Sequence, residues 1–248
     1  MFRFRLSSAR AWRNVITAIS ALVDEAVFNI DPEVLRVRAM DPSHVAMVDL
    51  EWRKEAFDEY VCDKPLSLGI NINDILKLLR RVGEDEVLDL YLDEAAAKLF
   101  LKFSGKYTRT FSMATLDIAG EEIPALKVTF NTKARLTTKC LLQTVEDAAT
   151  ISDNIRFEAT PEKLTIGAQG DLGTFSVDLD RSSEALLDLQ VKEPSKATFS
   201  LNFLSQIVKA AAPSSDIVTI EFSTNIPIKL SFEIPQGKLE YVVAPYIE

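Results

Sequence analysis

The only histidine of the 248-residue chain, His44, lies close to Ser43 and Asp41 in the stretch A-M-D-P-S-H-V-A-M-V-D-L at residues 39–50. These three residue types form the triad of serine hydrolases, in which a base activates the hydroxyl group and an acid orients the base. Neighbouring residues of an extended segment point to opposite faces, so Ser43 and His44 cannot form this relay with each other. One histidine is also too few ligands for a typical zinc site. We therefore interpret His44 as a structural or partner-contacting residue.

Common motifs of nucleotide binding and hydrolysis do not occur in the sequence: G-x-x-x-x-G-K-S/T, G-x-G-x-x-G and G-x-S-x-G are all absent. The acidic runs are residues 84–86, residues 93–94 and the pair Glu121 and Glu122. They fall in predicted turns or in a predicted connector, where carboxylates are more often solvated than bound to a metal. The motifs therefore indicate neither a metal site nor a catalytic centre.

The composition is that of an ordinary folded chain, with 47% hydrophobic and 26% charged residues. A chain of 248 residues is long enough for two domains. No apolar run approaches the roughly 18 residues that span a bilayer, and the first ten residues lack the apolar segment of a signal peptide. We therefore expect a soluble, intracellular protein. Two cysteines, Cys62 and Cys140, are too few for a disulfide framework and are expected to be buried thiols.

An internal repeat appears when the chain is shifted by about 129 residues against itself. Residues 31–50 then fall without a gap on residues 160–179, with identical residues at four positions and a shared closing Val-Asp-Leu. At nearly the same shift, V-L-D-L-Y-L matches I-V-T-I-E-F, and L-F-L-K-F matches I-K-L-S-F. The repeat predicts two copies of one unit, each running strand, helix, several strands, helix, several strands.

Hydrophobic periodicity predicts a strand-rich α+β chain. Alternation with period two predicts strands, and period 3.6 predicts helices. The segment 114–127 is predicted to be a connector, since it contains one glycine, one proline and two adjacent acids. It is predicted to lie along a groove, because its apolar side chains need apolar contacts: Leu116, Ile118, Ile123 and Leu126. The predicted strands cover 34–39, 45–52, 107–113, 163–168, 173–179 and 239–244, and the predicted helices cover about 8–23, 72–82, 137–149 and 202–211.

Basic residues gather on two predicted helices, although the net charge of −9 argues against a protein that coats nucleic acid with its whole surface. A solvated face is the commoner explanation for any single basic helix, but two such faces favour a surface that holds phosphates without reading bases. The second copy has fewer basic residues and adds Glu146 and Asp147. The apolar sides are Trp12, Val15, Ile16, Ile19 and Val23 in the first helix and Ile75, Leu76, Leu79 and Val82 in the second.

Five stretches together resemble one known family. They are M-D-P-S-H-V-A-M-V-D-L, F-D-E-Y-V-C-D, L-G-I-N-I-N-D-I-L-K-L-L-R, the central L-D-I-A-G-E-E-I-P and the closing L-E-Y-V-V-A-P-Y-I-E. In this order and spacing they resemble the DNA sliding clamps of the proliferating cell nuclear antigen family, over the whole chain. The lack of an acidic tail after Ile247 and Glu248 makes the chain look more like archaeal than eukaryotic clamps.

The resemblance implies an α+β chain with two similar domains of the clamp fold, in a ring-shaped trimer whose helices line a central hole and whose antiparallel sheets lie outside. It implies clamp domains at residues 1–116 and 128–248, joined by a connecting loop at 117–127. The implied function is not enzymatic and needs no cofactor: the ring encircles duplex DNA and tethers polymerase, ligase, flap endonuclease and the clamp loader. The implied location is the cytoplasm, at the archaeal nucleoid, or the nucleus of a eukaryote.

Three groups of site residues follow from the resemblance. The group that would face DNA, through loose and often water-mediated contacts, is Arg10, Arg13, Lys77, Arg80, Arg81, Lys139 and Lys209. The pocket for a partner peptide with a glutamine, an aliphatic residue and two aromatics is Met40, His44, Val45, Met47, Ile118, Ile123, Pro124, Pro227, Ala244, Pro245, Tyr246 and Ile247. The subunit interface, between residues 106–113 of one chain and 172–179 of the next, includes Tyr107, Arg109, Phe111, Glu146, Asp147, Thr174, Phe175 and Val177.

The sequence departs from the family pattern at Glu121, Glu122 and Tyr246, which leaves its partner preference open. We further hypothesise that Glu146 or Asp147 pairs with Arg109 of the neighbouring chain. The competing prediction, from another functional class, is a two-domain hydrolase or small-molecule-binding protein that uses acidic residues at the domain junction.

Overall fold

The computed structural model describes residues 1–83, 85–120, 123–124 and 127–247. Its α-helices are α1 (Ala9–Ile19), α2 (Ile72–Leu79), α3 (Thr138–Ala148) and α4 (Leu201–Ala211). The strands are β1 (Phe2–Leu6), β2 (Glu25–Ile30), β3 (Val34–Met40), β4 (Ala46–Arg53), β5 (Glu59–Cys62), β6 (Leu66–Asn71), β7 (Val87–Asp93), β8 (Lys98–Ser104), β9 (Thr108–Ala114), β10 (Thr132–Thr137), β11 (Asn154–Ala159), β12 (Lys163–Gly170), β13 (Gly173–Asp180), β14 (Leu186–Val191), β15 (Ser195–Ser200), β16 (Ile217–Phe222), β17 (Ile228–Ile234) and β18 (Gly237–Val243).

The chain divides into two compact units that carry the predicted repeat. Unit 1 comprises Met1–Pro42, Val48–Ile123 and Ile234–Leu239, and unit 2 comprises Ser43–Met47, Pro124–Glu233 and Glu240–Glu248. The starts of α1 and α3, and those of α2 and α4, are separated by the same shift that aligns the two copies in the sequence. The four helices and the mainly antiparallel strands confirm the predicted α+β class.

In unit 1, one sheet has the strand order β5-β1-β7-β8-β9, and another has β4-β3-β2-β6. Alternation explains the first sheet, because Phe2, Phe4 and Leu6 of β1 are buried while the residues between them are exposed. The ring of Phe4 lies 5.0 Å from that of Trp12, which brings α1 onto this sheet. Aromatic burial of this kind contributes much of the stability of a small core.

Both helices of unit 1 begin at a capping side chain. The Ser8 hydroxyl accepts a hydrogen bond from the Ala11 amide, and the Asn71 side chain accepts one from the Asp74 amide. Both helices end earlier than the periodicity predicted, α1 at Ile19 instead of residue 23 and α2 at Leu79 instead of residue 82. Apolar periodicity continues past these ends because Val23 and Val82 are themselves buried.

Unit 2 repeats these arrangements with its own residues. Its sheets have the orders β14-β10-β16-β17-β18 and β13-β12-β11-β15. Phe157 is fully buried and packs edge-on against Phe199 and Phe222, at 5.9 and 6.0 Å between ring centroids. The Thr137 hydroxyl accepts a bond from the Cys140 amide at the start of α3. Cys140 is only half-buried, so the prediction of two buried thiols is correct for Cys62 and wrong for Cys140.

Candidate DNA, partner and subunit interfaces

The predicted DNA-facing residues of unit 1 lie on the outer side of α1 and at the end of α2. Arg10 is exposed, while Arg13 is half-buried and donates a hydrogen bond to the Val82 carbonyl at 3.3 Å. Lys77 is paired with Asp74 at 2.7 Å, one turn earlier. Exposed Arg80 and Arg81 follow the last residue of α2. Since α1 and α2 pack against each other, these cations belong to one helical layer.

The helices of unit 2 carry fewer cations, and two acids balance them. Lys139 on α3 and Lys209 on α4 are exposed, and so are Glu146 and Asp147. At the repeat shift, Lys139 corresponds to Arg10 and Lys209 corresponds to Arg80. The unit 2 counterparts of Arg13, Lys77 and Arg81 are Leu142, Gln206 and Ala210. Three of the five cations therefore exist in unit 1 alone.

The described part of the connector crosses one sheet of unit 1. Just before it, the Leu116 amide donates to the Gly69 carbonyl at 2.9 Å, on the edge strand β6. Gly120 lies over Val27 of β2, which pairs directly with Gly69. Ile123 then accepts a hydrogen bond from the Arg38 guanidinium of β3, at 3.1 Å.

Ile118 and Ile123 are both half-buried, and Cγ1 of Ile118 lies directly against Gly69 of β6. Glu121, Glu122 and Leu126 lie outside the described residues. The sequence did not predict the roles of Gly69 and Arg38. Their partners Leu116 and Ile123 are far away along the chain, and the residues next to a glycine or an outward-facing arginine of a strand do not indicate such a contact.

The segment around His44 is a tight turn. His44 is exposed and has a φ of 57°, in the left-handed region that is uncommon for residues other than glycine, although histidine, asparagine and aspartate are enriched there. The Val45 carbonyl accepts a hydrogen bond from the Ala244 amide at 2.9 Å, within unit 2. Met40, in unit 1, is half-buried, whereas Met47 is 8% exposed and offers little surface to a partner.

The remaining predicted pocket residues of unit 2 follow β18 or directly precede β17, except for Pro124, which lies before β10. Ala244, Pro245 and Pro227 are half-buried, and Pro124 is exposed. Tyr246 and Ile247 are 53% and 70% exposed, a large apolar area for two adjacent residues. The Tyr246 amide donates to the Thr198 carbonyl at 2.7 Å, on the edge strand β15.

The predicted subunit-interface residues lie on terminal strands. In the described part of the chain, β9 ends one sheet of unit 1 and β13 ends one sheet of unit 2. An unpaired strand edge is a template for another chain. Tyr107 is 66% exposed, Thr174 is exposed, and the apolar side chains that these edges leave half-buried are Phe111, Phe175 and Val177.

Arg109 has a partner within its own unit. Its guanidinium binds both carboxylate oxygens of Glu86, at 2.6 and 2.7 Å, and the two side chains are 21% and 15% exposed. The hydrogen bond from the Gly83 amide, followed by those from Arg109, lowers the pKa of Glu86 below its ordinary value. The interpretation of residues 84–86 as solvated turn charges is therefore wrong for Glu86, and Glu84 lies outside the described residues.

No helix within the described ranges is long and apolar enough to cross a membrane. Two repeats of one α+β unit, each with antiparallel sheets and a pair of helices that carry exposed cations, define the class of DNA-encircling clamps. A solved structure of the proliferating cell nuclear antigen from Thermococcus kodakaraensis superposes with a TM-score of 0.95 at 28% identity, covering 99% of this chain and all of the other. The fold is likewise shared with the protein from Entamoeba histolytica, with a TM-score of 0.93 at 24% identity and 99% of each chain covered.

Sequence comparison gives the family. The family models "Proliferating cell nuclear antigen, N-terminal domain" and "Proliferating cell nuclear antigen, C-terminal domain" match residues 1–122 and 123–246. DNA polymerase sliding clamp 1 of Pyrobaculum aerophilum is 39% identical, over 97% of this chain and 96% of its own. The sliding clamp of Thermofilum pendens is 32% identical over the full length of both.

The chain belongs to the proliferating cell nuclear antigen family, for which a trimeric ring is the known assembly. It is a DNA polymerase sliding clamp, a processivity factor without catalytic activity of its own, which confirms the predicted function. Sliding clamps act on DNA together with a polymerase. The competing prediction of a hydrolase or small-molecule-binding protein is not supported.

Proposed function

We propose that this clamp closes around duplex DNA as a ring of three chains in the archaeal cytoplasm, at the nucleoid. There it tethers ligase, flap endonuclease and the clamp loader in addition to polymerase. Archaeal relatives support the location. The observation that carries the proposal is the distribution of charge: an acidic chain whose helices present Arg10, Arg80, Lys139 and Lys209 at repeat-equivalent positions. Cations in these positions attract phosphates whatever the base sequence.

Processive synthesis tests the proposed encirclement. On a primed circular template, the clamp with its loader is expected to lengthen polymerase products. On a linear template with free ends, the ring slides off and the products stay short. Equal stimulation on both templates would contradict encirclement. The native mass of the chain, alone and mixed with related clamp chains of its source, measures the ring itself.

Partner peptides are proposed to bind the predicted pocket residues. Ile118 and Ile123 present apolar surface in unit 1, and Tyr246 and Ile247 do so in unit 2. His44, exposed on its turn, is proposed to position the peptide through a polar contact. A few anchors in apolar surface with polar contacts at the rim suit a short motif containing two aromatics.

Replacing His44 by alanine tests the partner site. The variant is expected to weaken binding of a peptide with a glutamine, an aliphatic residue and two aromatics about tenfold, the equivalent of ~1.4 kcal/mol. Its native mass is expected to stay that of the unsubstituted protein. Unchanged peptide affinity would remove His44 from the site. Ser43→Ala, one residue earlier on the same turn, is the matched control.

Ring closure is proposed to pair β9 of one chain with β13 of the next, through main-chain hydrogen bonds. From the sequence we proposed that Arg109 pairs with Glu146 or Asp147 of the neighbouring chain. Because Arg109 already binds Glu86, we propose a different pairing for these acids. Arg109 also donates to the Arg81 carbonyl at 3.4 Å, so the end of α2 lies beside β9. Asp147 and Val177 line one groove of about 400 Å³, so the end of α3 lies beside β13.

The revised proposal pairs Arg81 of one chain with Asp147 of its neighbour. A charge swap tests it. Arg81→Glu and Asp147→Arg are each expected to lower the fraction of trimer at a fixed protein concentration, and the double variant is expected to restore it. Failure of the double variant to restore the trimer would contradict this pairing. Replacing Arg156, which pairs with Glu158 in unit 2, is a control for loss of an exposed cation.

A further inference from the structure

We infer that Arg38 and Gly69 are positioning residues for partner recognition. They hold the chain at Leu116, Ile118 and Ile123 in place over the sheet of unit 1 before a partner peptide arrives. The inference rests on the proposed partner site, because it assigns a use to the placement of the connector. It concerns residues that contact the connector from below and not the residues proposed to touch the peptide.

Gly69 allows the chain to approach the sheet closely. A Cβ atom at this position would lie 2.4 Å from the Leu116 carbonyl oxygen and 2.7 Å from Cγ1 of Ile118. Real Cβ atoms do not come so near to a backbone atom. Any other residue at position 69 would therefore lift the chain that leads into the connector, together with the Ile118 side chain.

Arg38 fixes the connector farther along. Phe28 pairs with Val37, so Arg38 is next in register beside Val27, and the row Gly69, Val27, Arg38 runs across β6, β2 and β3. One terminal nitrogen of the guanidinium donates to the Ile123 carbonyl at 3.1 Å. The other binds Asp49 at 2.6 Å, which holds the planar group in place. A lysine has a single nitrogen and cannot reproduce this forked geometry.

The fold itself does not require these residues. At the repeat shift, unit 2 has Gly167 at the position that corresponds to Arg38 and Thr198 at the one that corresponds to Gly69. Asp178, the counterpart of Asp49, binds Lys163 and Thr165 instead. The Tyr246 amide bonds to the Thr198 carbonyl as the Leu116 amide bonds to that of Gly69, so this backbone contact forms without a glycine. Among the described residues, the forked Arg38 contact and the glycine under the chain occur in unit 1, where the connector is proposed to bind partners.

The cost of peptide binding explains how placement affects affinity. A segment that is already ordered loses less conformational entropy when a ligand binds than a segment that moves freely. A hydrogen bond to a charged group is stronger than one between neutral groups, so loss of the Arg38 bond is expected to free the chain around Ile123. The conformational entropy lost when the connector orders again would then reduce the affinity for the peptide.

Two measurements on the full-length protein test the inference. Amide hydrogen exchange over residues 114–124 measures how well this segment is ordered. Titration with a peptide that contains a glutamine, an aliphatic residue and two aromatics measures the affinity for a partner. Arg38→Met is expected to speed amide exchange in this segment and to lower the affinity for the peptide about tenfold, the equivalent of ~1.4 kcal/mol. Arg38→Lys is expected to recover only part of either loss, and Gly69→Ala is expected to act in the same direction as Arg38→Met.

Arg36→Met is the matched control. Arg36 lies two residues away on β3 and binds the carboxylates of Asp31 and Glu51, at 2.9 and 3.6 Å. This variant is expected to leave exchange over residues 114–124 and peptide affinity unchanged. If Arg38→Met leaves both unchanged as well, or if Arg36→Met matches its effects, the inference is overturned. If the unsubstituted protein does not bind the peptide, the proposed partner site fails instead, and hydrogen exchange alone decides whether Arg38 positions the connector.

Discussion

Unit 1 and unit 2 have the same order of elements and the same sheet orders, but different surfaces. The helices of unit 1 present five predicted DNA-facing cations, against two in unit 2. Buried positions agree much better: Phe28 and Phe157, which correspond at the repeat shift, are 1% and 0% exposed. The two copies thus keep the same buried residue at this position while the exposed cations of their helices differ.

One pair of neighbouring strands illustrates the divergence. In unit 1, Tyr91 pairs with Phe100 across β7 and β8, and their rings stack at 4.9 Å between centroids. At the corresponding register of unit 2, Glu221 pairs with Lys229 across β16 and β17, with an ion pair of 2.6 Å. An apolar and an ionic pair thus occupy one position of the same sheet. Cross-strand pairs of either type stabilise a sheet.

The largest expected effect comes from the shared core. Phe28→Ala and Phe157→Ala are each expected to lower the free energy of unfolding by about 3–5 kcal/mol, because each leaves a cavity in a fully buried position. Denaturant unfolding followed by circular dichroism measures both. A loss in one unit several times that in the other would show that the two cores are not equivalent. Leu187→Ala, at a residue that is 47% exposed, is the control.

The pairing of Glu86 with Arg109 is expected to make unit 1 sensitive to acid. The pKa of Glu86 is lowered on folding, so its contribution to stability is present above its ordinary pKa and is lost as the pH falls through the lowered value. Glu86→Gln is expected to lower stability by about 1.5–3 kcal/mol at pH 7, since it breaks a charged hydrogen-bond pair. Thermal unfolding measures the change.

The difference between Glu86→Gln and the unsubstituted protein should shrink as the pH is lowered through the acid range. A difference that stays constant with pH would contradict the assigned role of the charge. Glu33→Gln removes a partner of the exposed Lys54 and is expected to change little, which makes it the control.

The helix cations can be exchanged between the units. Lys77 of unit 1 corresponds to Gln206 of unit 2, so Lys77→Gln and Gln206→Lys make opposite changes at equivalent positions. If both positions face phosphates, the slope of log affinity for duplex DNA against log salt should change by about 0.9 for each phosphate that is released or newly bound. The double variant is expected to restore the original slope. A slope that responds only at position 77 would confine DNA contact to unit 1.

The smallest effects belong to the two cross-strand pairs. Double-mutant cycles on Tyr91 with Phe100, and on Glu221 with Lys229, are each expected to give a coupling energy of about 0.2–1 kcal/mol. High salt should reduce the ionic coupling and leave the aromatic one unchanged, because salt screens charges and not stacked rings. Equal responses to salt would show that the two pairs are stabilised in the same way.

Sequence reasoning succeeded where the signal repeats or is periodic. The repeat shift, the six predicted strands and the four helices depend on patterns of burial that local sequence displays. Helix ends were less accurate, because Val23 and Val82 continue the apolar pattern beyond Ile19 and Leu79.

Contacts between distant segments could not be predicted in the same way. Arg109 and Glu86 are 23 residues apart, and Arg38 and Ile123 are 85 apart. Nothing near these residues indicates their partners, because the contacts form only when strands assemble into sheets. The family resemblance provided the candidate interfaces, whereas the three-dimensional arrangement provided Gly69, Arg38 and the bond that occupies Arg109.

Two isolated backbone contacts, in which Leu116 crosses the edge strand at Gly69 and Tyr246 crosses the edge strand at Thr198, indicate how the chain arose. We call each of them a crossing. Thr198 follows Gly69 by the repeat shift, and Tyr246 follows Leu116 by nearly the same shift, so the two crossings are copies of one element. Tandem duplication of an ancestral gene leaves this relationship. In that history the connector descends from the closing segment of a single unit. In such a duplication, the segment that closes the first copy is also the segment that leads into the second.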